Sequence, residues 1–245
     1  MSLVKIYLMK YRLKQIAMKI DSVKYPLPNM RHHTSSNMYY PLKDLKKTPN
    51  HYPPVFEETD WNEHFDSGQS PEILDVGCGK GSFLFDLSEK YPDQNVLGID
   101  VRHIPIKWIK GVIDGEKMPN VSAMWYSVAN GMKFIADNSV DKIFYLFPDP
   151  WPKRNHLLRR AFNEVLLTEF QRCLKNDGVL YLETDVDYVD EYHKKILDKQ
   201  GGLDYEVIQT REEWAMPLTN KEKFCIRKEI FVYRLICRLK AGVCQ

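Results

Sequence analysis

Residues 72–83, EILDVGCGKGSF, decide how this chain of 245 residues folds. EILDVG is an apolar run interrupted by Asp75, and it reads as a buried strand closing at Gly77. Glycines at 77, 79 and 81 follow, and a helical pattern, GSFLFDLSEKYP, starts at once and stops before Pro92. Strand, glycine turn and helix open a βαβ unit, in which glycines let the backbone approach a ligand closely. The alternation then repeats. NVLGID is a second strand ending at Asp100, followed by a helix across IPIKWIKGVIDGEK, and VSAMWYSV is a third strand leading to Asn130 and Gly131. DKIFYLF is the fourth, with a helix from about His156 to Lys175 behind it, and GVLYLETD is the fifth, ending at Thr184 and Asp185. YEVIQT and EIFVYRLICRLK are late strands with no long helix between them, which predicts antiparallel pairing at one edge. The whole pattern predicts an α/β fold with a mostly parallel, doubly wound sheet and an antiparallel edge strand.

Composition sets the outer limits. With 44% hydrophobic and 28% charged residues, the chain is long enough for one large domain with its own core. We place that domain at 71–245, behind a basic N-terminal arm and irregular lead-in at 1–70. No stretch approaches the roughly eighteen uninterrupted apolar residues of a membrane span, so no membrane partner is expected. Five cysteines form no CxxC or other ligand spacing, and His32, His33 and His156 form none either. Reduced thiols in a cytoplasmic protein, with no metal, are the expectation. The net charge of +2 hides an asymmetry: residues 1–50 hold ten lysines and arginines against Asp21 and Asp44 alone. A basic arm on a mildly acidic body suits a polyanionic partner. Residues 1–20, MSLVKIYLMKYRLKQIAMKI, read as a basic amphipathic helix.

In an open α/β sheet, ligands bind outside the carboxyl ends of the strands. Those ends carry Asp75–Gly81, Asp100, Asn130–Gly131, Asp149 and Thr184–Asp185, so five polar clusters converge on one rim. The glycine spacing is GxGxG, with Ser82 where a dinucleotide fingerprint needs a glycine or small substitute. Asp75 stands two residues ahead of the first glycine. A carboxylate there repels a pyrophosphate but suits a ligand carrying an ammonium and a sulfonium, which describes S-adenosylmethionine. Asp100 is placed to accept hydrogen bonds from ribose hydroxyls, and Asn130 to read an adenine edge, although Asn-Gly is also a turn dipeptide.

The second informative stretch is Phe147 to Arg160, FPDPWPKRNHLLRR. Pro148, Pro150 and Pro152 fix φ and bias the residues before them toward extended conformations, so Asp149 sits in a stiff turn at a strand end. Lys153, Arg154, Arg159 and Arg160 follow as a cationic cluster suited to phosphate.

With these motifs together, the chain resembles the tRNA (guanine-N7-)-methyltransferase family over about residues 70–240. The resemblance rests on LDVGCGKGSF, LGIDVR, FPDPWPKRNHLLRR, the pair Thr184–Asp185, and LTNKE with Thr219-x-x-Glu222. It implies a Rossmann-like class I methyltransferase domain that moves a methyl group from S-adenosylmethionine to N7 of guanine 46 in the tRNA variable loop. S-adenosylhomocysteine would be the second product. It further implies that Gly77, Gly79, Asp100, Arg102, Asn130, Gly131 and Leu146 contact the cofactor beside Asp75. Asp149 matches the family's active-site aspartate. Lys153, Arg154, Asp185 and Thr219 to Glu222 fall at or beside its substrate-binding positions. The WPK form of the motif is similar to the stand-alone bacterial members, which implies no obligate protein partner and a monomer or homodimer.

Guanine N7 is an unprotonated lone pair, so orientation and charge stabilisation are the roles expected of Asp149, rather than removal of a proton. T-x-x-E is also the signature of a helix capping box, and Trp151 suits packing under the turn better than base stacking. Three other readings compete. They are a methyltransferase of the same fold acting on another RNA or a protein, a non-catalytic RNA-binding relative, and a nicotinamide oxidoreductase, which Ser82 and Asp75 disfavour.

Overall fold

The computed structural model describes residues 20–30, 35–151 and 160–240. The expected basic helix at 1–20 lies outside the described residues but for Ile20, and Lys153, Arg154 and Arg159 lie outside them too. Seven strands form one sheet among the described residues: β1 Ile73–Val76, β2 Val96–Asp100, β3 Val121–Trp125, β4 Val140–Leu146, β5 Leu174–Thr184, β6 Leu203–Val207 and β7 Tyr233–Leu239. Their order is β3-β2-β1-β4-β5-β7-β6. β1 to β5 run parallel, and β7 pairs antiparallel with both β5 and β6. The predicted parallel sheet with an antiparallel edge is therefore the one that forms.

Every residue of β1 and β2 is buried, as expected of a sheet covered on both faces. Alternation along β1 splits the core. Leu74 and Val76 join the layer containing Leu97, Ile99 and Phe170, while Ile73 joins Phe83, Leu84 and Ile109 on the other face. Helix α1 (Ser82–Lys90) follows the glycine turn, and α2 (His103–Glu116) follows β2. Gly81, at φ +75°, caps α1, and a Cβ there would lie 2.8 Å from Ile109 Cγ1. Only glycine lets α1 approach α2 this closely.

Three boundaries differ from the sequence pattern. Helix α3 spans Glu164–Cys173, and residues 160–163 of the expected span are not helical, because Asn163 caps the helix by accepting the Leu166 N–H at 3.0 Å; residues 156–159 lie outside the described residues. β5 begins at Leu174, four residues before GVLYLETD, so Lys175 is strand and not helix. The polar helix α4 (Asp187–Gln200) has no counterpart in the sequence reading; it buries Val189, His193, Ile196 and Leu197 at helical spacing. Two short helices, α5 (Arg211–Trp214) and α6 (Asn220–Lys228), join β6 to β7. In the lead-in, Phe65 is buried and Phe56 packs on Tyr126 and Phe134 at 4.9 and 5.2 Å. No helix among the described residues is long and apolar enough to cross a membrane.

A buried ion cluster ties α5 and α6 to the sheet. Arg234 on β7 donates from Nε to Glu183 of β5 at 2.8 Å and from Nη2 to Glu222 of α6 at 2.7 Å. Arg211 of α5 lies 2.8 Å from the same Glu222 oxygen. Burial pushes both carboxyls up, and the two arginines oppose that shift. Removing one member of such a cluster strands its partners without water or counter-charge. Glu222→Gln should therefore lower the unfolding free energy by about 3–5 kcal/mol in urea titrations; an unchanged midpoint and slope would contradict the pairing.

Candidate active site

The sheet changes direction of growth between β1 and β4, and the polypeptide leaves those two neighbouring strands toward opposite sides. A crevice opens at their carboxyl ends. Gly77 stands on one lip at φ +88°, and a Cβ added to it would meet no atom within 4 Å, so the space beyond its backbone is open. Its own N–H and that of Cys78 are held by Ile99 O at 2.7 and 3.1 Å, which fixes the turn against β2.

Asp100 ends β2 and organises this lip. Its Oδ2 accepts from the Gly79 N–H at 3.0 Å and Arg102 Nη2 at 2.7 Å. Its Oδ1 accepts from the N and Nε of Arg102, both at 2.9 Å. Asp75 lies below, 3% exposed, with no hydrogen-bond partner for its Oδ2. Burial, reinforced by the charge on Asp100, pushes the Asp75 carboxyl up to about 8.

The opposite lip is the turn after β4. Phe147 N–H donates to Glu183 O at 2.7 Å, continuing the sheet for one residue, and Phe147 and Trp151 take positive φ values of 49° and 42°. Two non-glycine residues in the left-handed region bracket Asp149, and such strain is concentrated at functional sites. Tyr39 of the lead-in donates its hydroxyl to Asp149 Oδ2 at 2.8 Å and meets the Trp151 ring edge-on, centroids 5.9 Å apart. Burial, then the Asp149 charge, raise the Tyr39 hydroxyl, so it stays a donor. Of the cationic run behind the turn, Arg160 is described: its guanidinium lies 4.5 Å from the Tyr192 ring centroid.

The lead-in also closes the far end of the crevice. Asn130 Oδ1 accepts from Leu42 N–H at 2.8 Å, its Nδ2 donates to the Tyr52 hydroxyl at 3.0 Å, and Ser127 Oγ donates to Met38 O at 2.8 Å. Asn130 thus fastens residues 38–52 over the site. Gly131 follows at φ +82°. The result is two adjoining cavities. One, of about 190 Å³, is walled by Tyr39, Gly77, Asp100, Leu146 and Asp149; the other, of about 580 Å³, by Asp75, Gly79, Arg102 and Thr219. Gly77, Arg102, Leu146 and Phe147 border both.

Of the remaining sequence candidates, Thr219 lines the far wall of the second cavity, while Asp185 and Glu222 lie behind that wall. Thr219 caps α6 by accepting the Glu222 N–H at 2.9 Å, which is half of the anticipated capping box; the Glu222 carboxylate goes instead to Arg211 and Arg234. Asp185 pairs with Lys221 at 2.7 Å. Tyr39 and Tyr52 were absent from the sequence reading. Their signal is weak: two tyrosines in a Pro-rich lead-in show no periodicity, and only the fold brings them to the rim. No group of three or more His, Cys, Asp or Glu side chains that could hold a metal occurs among the described residues.

Comparison with known proteins gives a consistent picture. The model of a family described as "Putative methyltransferase" matches residues 69–235. The tRNA (guanine-N(7)-)-methyltransferase of Lactobacillus gasseri is 32% identical over 145 residues, covering 59% of this chain and 67% of that protein. The Drosophila virilis protein of the same name is 33% identical over 69% of this chain and 73% of the relative. That of Latilactobacillus sakei is 30% identical over 74% and 87%. Some further bacterial matches span slightly under two thirds of the relative, 66% in Lactobacillus johnsonii and 64% in Brevibacillus brevis. Among solved structures, a SAM dependent methyltransferase from Aquifex aeolicus matches with TM-score 0.50 at 20% identity, covering 69% of this chain and 82% of that one. An antibiotic related methyltransferase matches with TM-score 0.53 at 16% identity, covering 76% and 96%. These two establish the fold.

Asp75 gives this site a measurable pH signature. The folded protein keeps a proton on Asp75 up to about pH 8, whereas the unfolded chain loses it near 3.8. Stability from this group is therefore full below the lower value and declines as pH rises toward the upper one. Asp75→Asn should leave the ligand-free thermal midpoint near wild type at pH 4 and raise it progressively toward pH 8. A constant difference across that window would contradict the assignment.

Proposed function

Because the chain belongs to the tRNA (guanine-N7-)-methyltransferase family, we propose that it transfers a methyl group from S-adenosylmethionine to N7 of guanine 46 in the tRNA variable loop. The observation that carries this reading is the pair of adjoining cavities. They set the Asp75–Gly79–Asp100 lip against Asp149 across the shared walls Gly77 and Leu146.

The residues present fit the cofactor. Asp75 offers a buried, unpartnered oxygen to an ammonium, and the open space over Gly77 admits a ligand where a side chain would block it. Asp100 offers its carboxylate to a ribose diol, which replaces the Arg102 donors, since both oxygens are otherwise engaged. Bound S-adenosylmethionine supplies an electrophilic methyl group on a sulfonium. Asn130 holds the lead-in over the adenosine end, Gly131 follows it there, and Leu146 forms the wall between the two substrates.

On the other lip, the protein's task is to align a lone pair. Asp149, fixed by its strained turn and by the Tyr39 hydroxyl, accepts from guanine N–H groups and favours the positive charge that develops on the ring. No proton has to be taken before attack. Lys153 and Arg154 follow this turn directly and are assigned to phosphate, with Thr219 on the far wall toward the substrate; Asp185, paired with Lys221 of that wall, joins it, and Glu222 supports the wall from beneath. The catalytic domain is 71–245, with 1–70 as the basic arm and lead-in. A cytoplasmic enzyme acting without an obligate protein partner, as monomer or homodimer, agrees with this assignment.

Labelled S-adenosylmethionine and unmodified tRNA transcripts test the reading. Label should enter a transcript with guanine at position 46 and be absent from one with adenine there; equal labelling would move the target elsewhere. Asp149→Asn should lower kcat by about 10²–10³-fold, the usual range for one preorganised electrostatic group. Full turnover with unchanged tRNA affinity would remove Asp149 from that role.

A further inference from the structure

The larger cavity has more positive charge on its walls than the cofactor needs. Lys80 on the glycine turn, Arg102 after β2, and Lys221, Lys223 and Arg227 on α6 all border it. Two of the five are committed, Arg102 to Asp100 and Lys221 to Asp185. The side chains of Lys80, Lys223 and Arg227 make no hydrogen bond or ion pair among the described residues. S-adenosylmethionine carries one carboxylate, and three uncommitted cations around one mouth suit a longer anion.

Two features of α6 support this. Lys223 and Arg227 are four residues apart and so share a helix face, an arrangement that like charges disfavour unless an anion lies between them. The last-turn position of Arg227 favours a cation, but that of Lys223 does not. The face is also held rigidly: Glu222, the residue before Lys223, is fully buried in the cluster with Arg211 and Arg234. Beside the cations, Phe224 is 38% exposed with Lys221 Nζ 5.2 Å from its ring centroid. Cations that follow a backbone, set among exposed aromatic rings, are the ordinary components of a nucleic-acid groove.

We propose that Lys80, Lys223 and Arg227 form a docking site for the tRNA sugar–phosphate backbone, separate in sequence from the Lys153–Arg160 run. The three cations border the cavity that shares Gly77, Arg102, Leu146 and Phe147 with the Asp149 cavity, so backbone held there leaves the target guanine within reach of Asp149. This inference rests on the methyltransferase reading above and adds where the substrate lies.

The test uses the full chain carrying Lys223→Gln and Arg227→Gln, with an unmodified tRNA transcript and S-adenosylmethionine titrated separately. At physiological salt, tRNA affinity should fall at least tenfold. The slope of log K against log salt should flatten by about 1.5, the loss of two phosphate contacts. Cofactor affinity should stay within twofold of wild type, which also reports that the fold is intact. An unchanged slope with weakened cofactor binding would assign these cations to the cofactor carboxylate and overturn the proposal. An unchanged slope with unchanged cofactor binding would make them a solvated surface and overturn it equally. A wild-type protein that binds S-adenosylmethionine but no tRNA would instead fail the parent reading, and this one with it.

Discussion

Between β1 and β4 the sheet reverses its direction of growth, and each half of the site is attached to one side of that break. Parallel strands deliver their carboxyl ends to a single rim, and only at the break do two adjacent ends diverge enough to leave a crevice. Gly77 and its turn follow from β1, and the Asp149 turn follows from β4. Their separation is therefore set by the pairing Val76↔Tyr145 in the buried middle of the sheet, not by the mobility of either loop. The glycines serve the same constraint from the other direction. Gly81 allows α1 to seat against α2, which fixes where the turn emerges, and Gly77 leaves the crevice clear.

Charge is handled differently on the two sides of the rim. Asp75 is buried with no partner for its Oδ2, and burial pushes its carboxyl up to about 8, while Asp100, one strand over, is saturated by Arg102 and the Gly79 N–H. The cluster of Glu183, Glu222, Arg211 and Arg234 is structural by comparison. It adds little net stability beyond a packed apolar equivalent, yet it sets the position of α6 against β5 and β7.

The sequence made the parallel sheet, the glycine turn and the Asp149 turn legible, because each is a local pattern: buried strands as apolar runs, glycines at fixed spacing, prolines around a single acid. What it concealed was contact between distant segments. Helix α4 escaped notice because its apolar residues are scattered among charges, and α3 began later than its pattern because Asn163 caps it. The amide of Asn130 engages Leu42 and Tyr52, residues roughly eighty positions away, a contact that no local pattern announces. Tyr39 reaches Asp149 across 110 residues. The sequence reading left Glu222 between cap and substrate; in the fold, only its backbone N–H serves the cap and its side chain serves the ion cluster.

The central claim is that this one crevice holds methyl donor and guanine N7 in line. The most direct measurement is the chemistry of the product, because an N7-methylated guanosine carries a permanently charged ring and its glycosidic bond becomes labile after reduction. The account predicts that tRNA treated with the protein and S-adenosylmethionine, then with borohydride and aniline, breaks at one place, the variable-loop guanine. A methylated product that resists scission, or that breaks at another nucleotide, would contradict it.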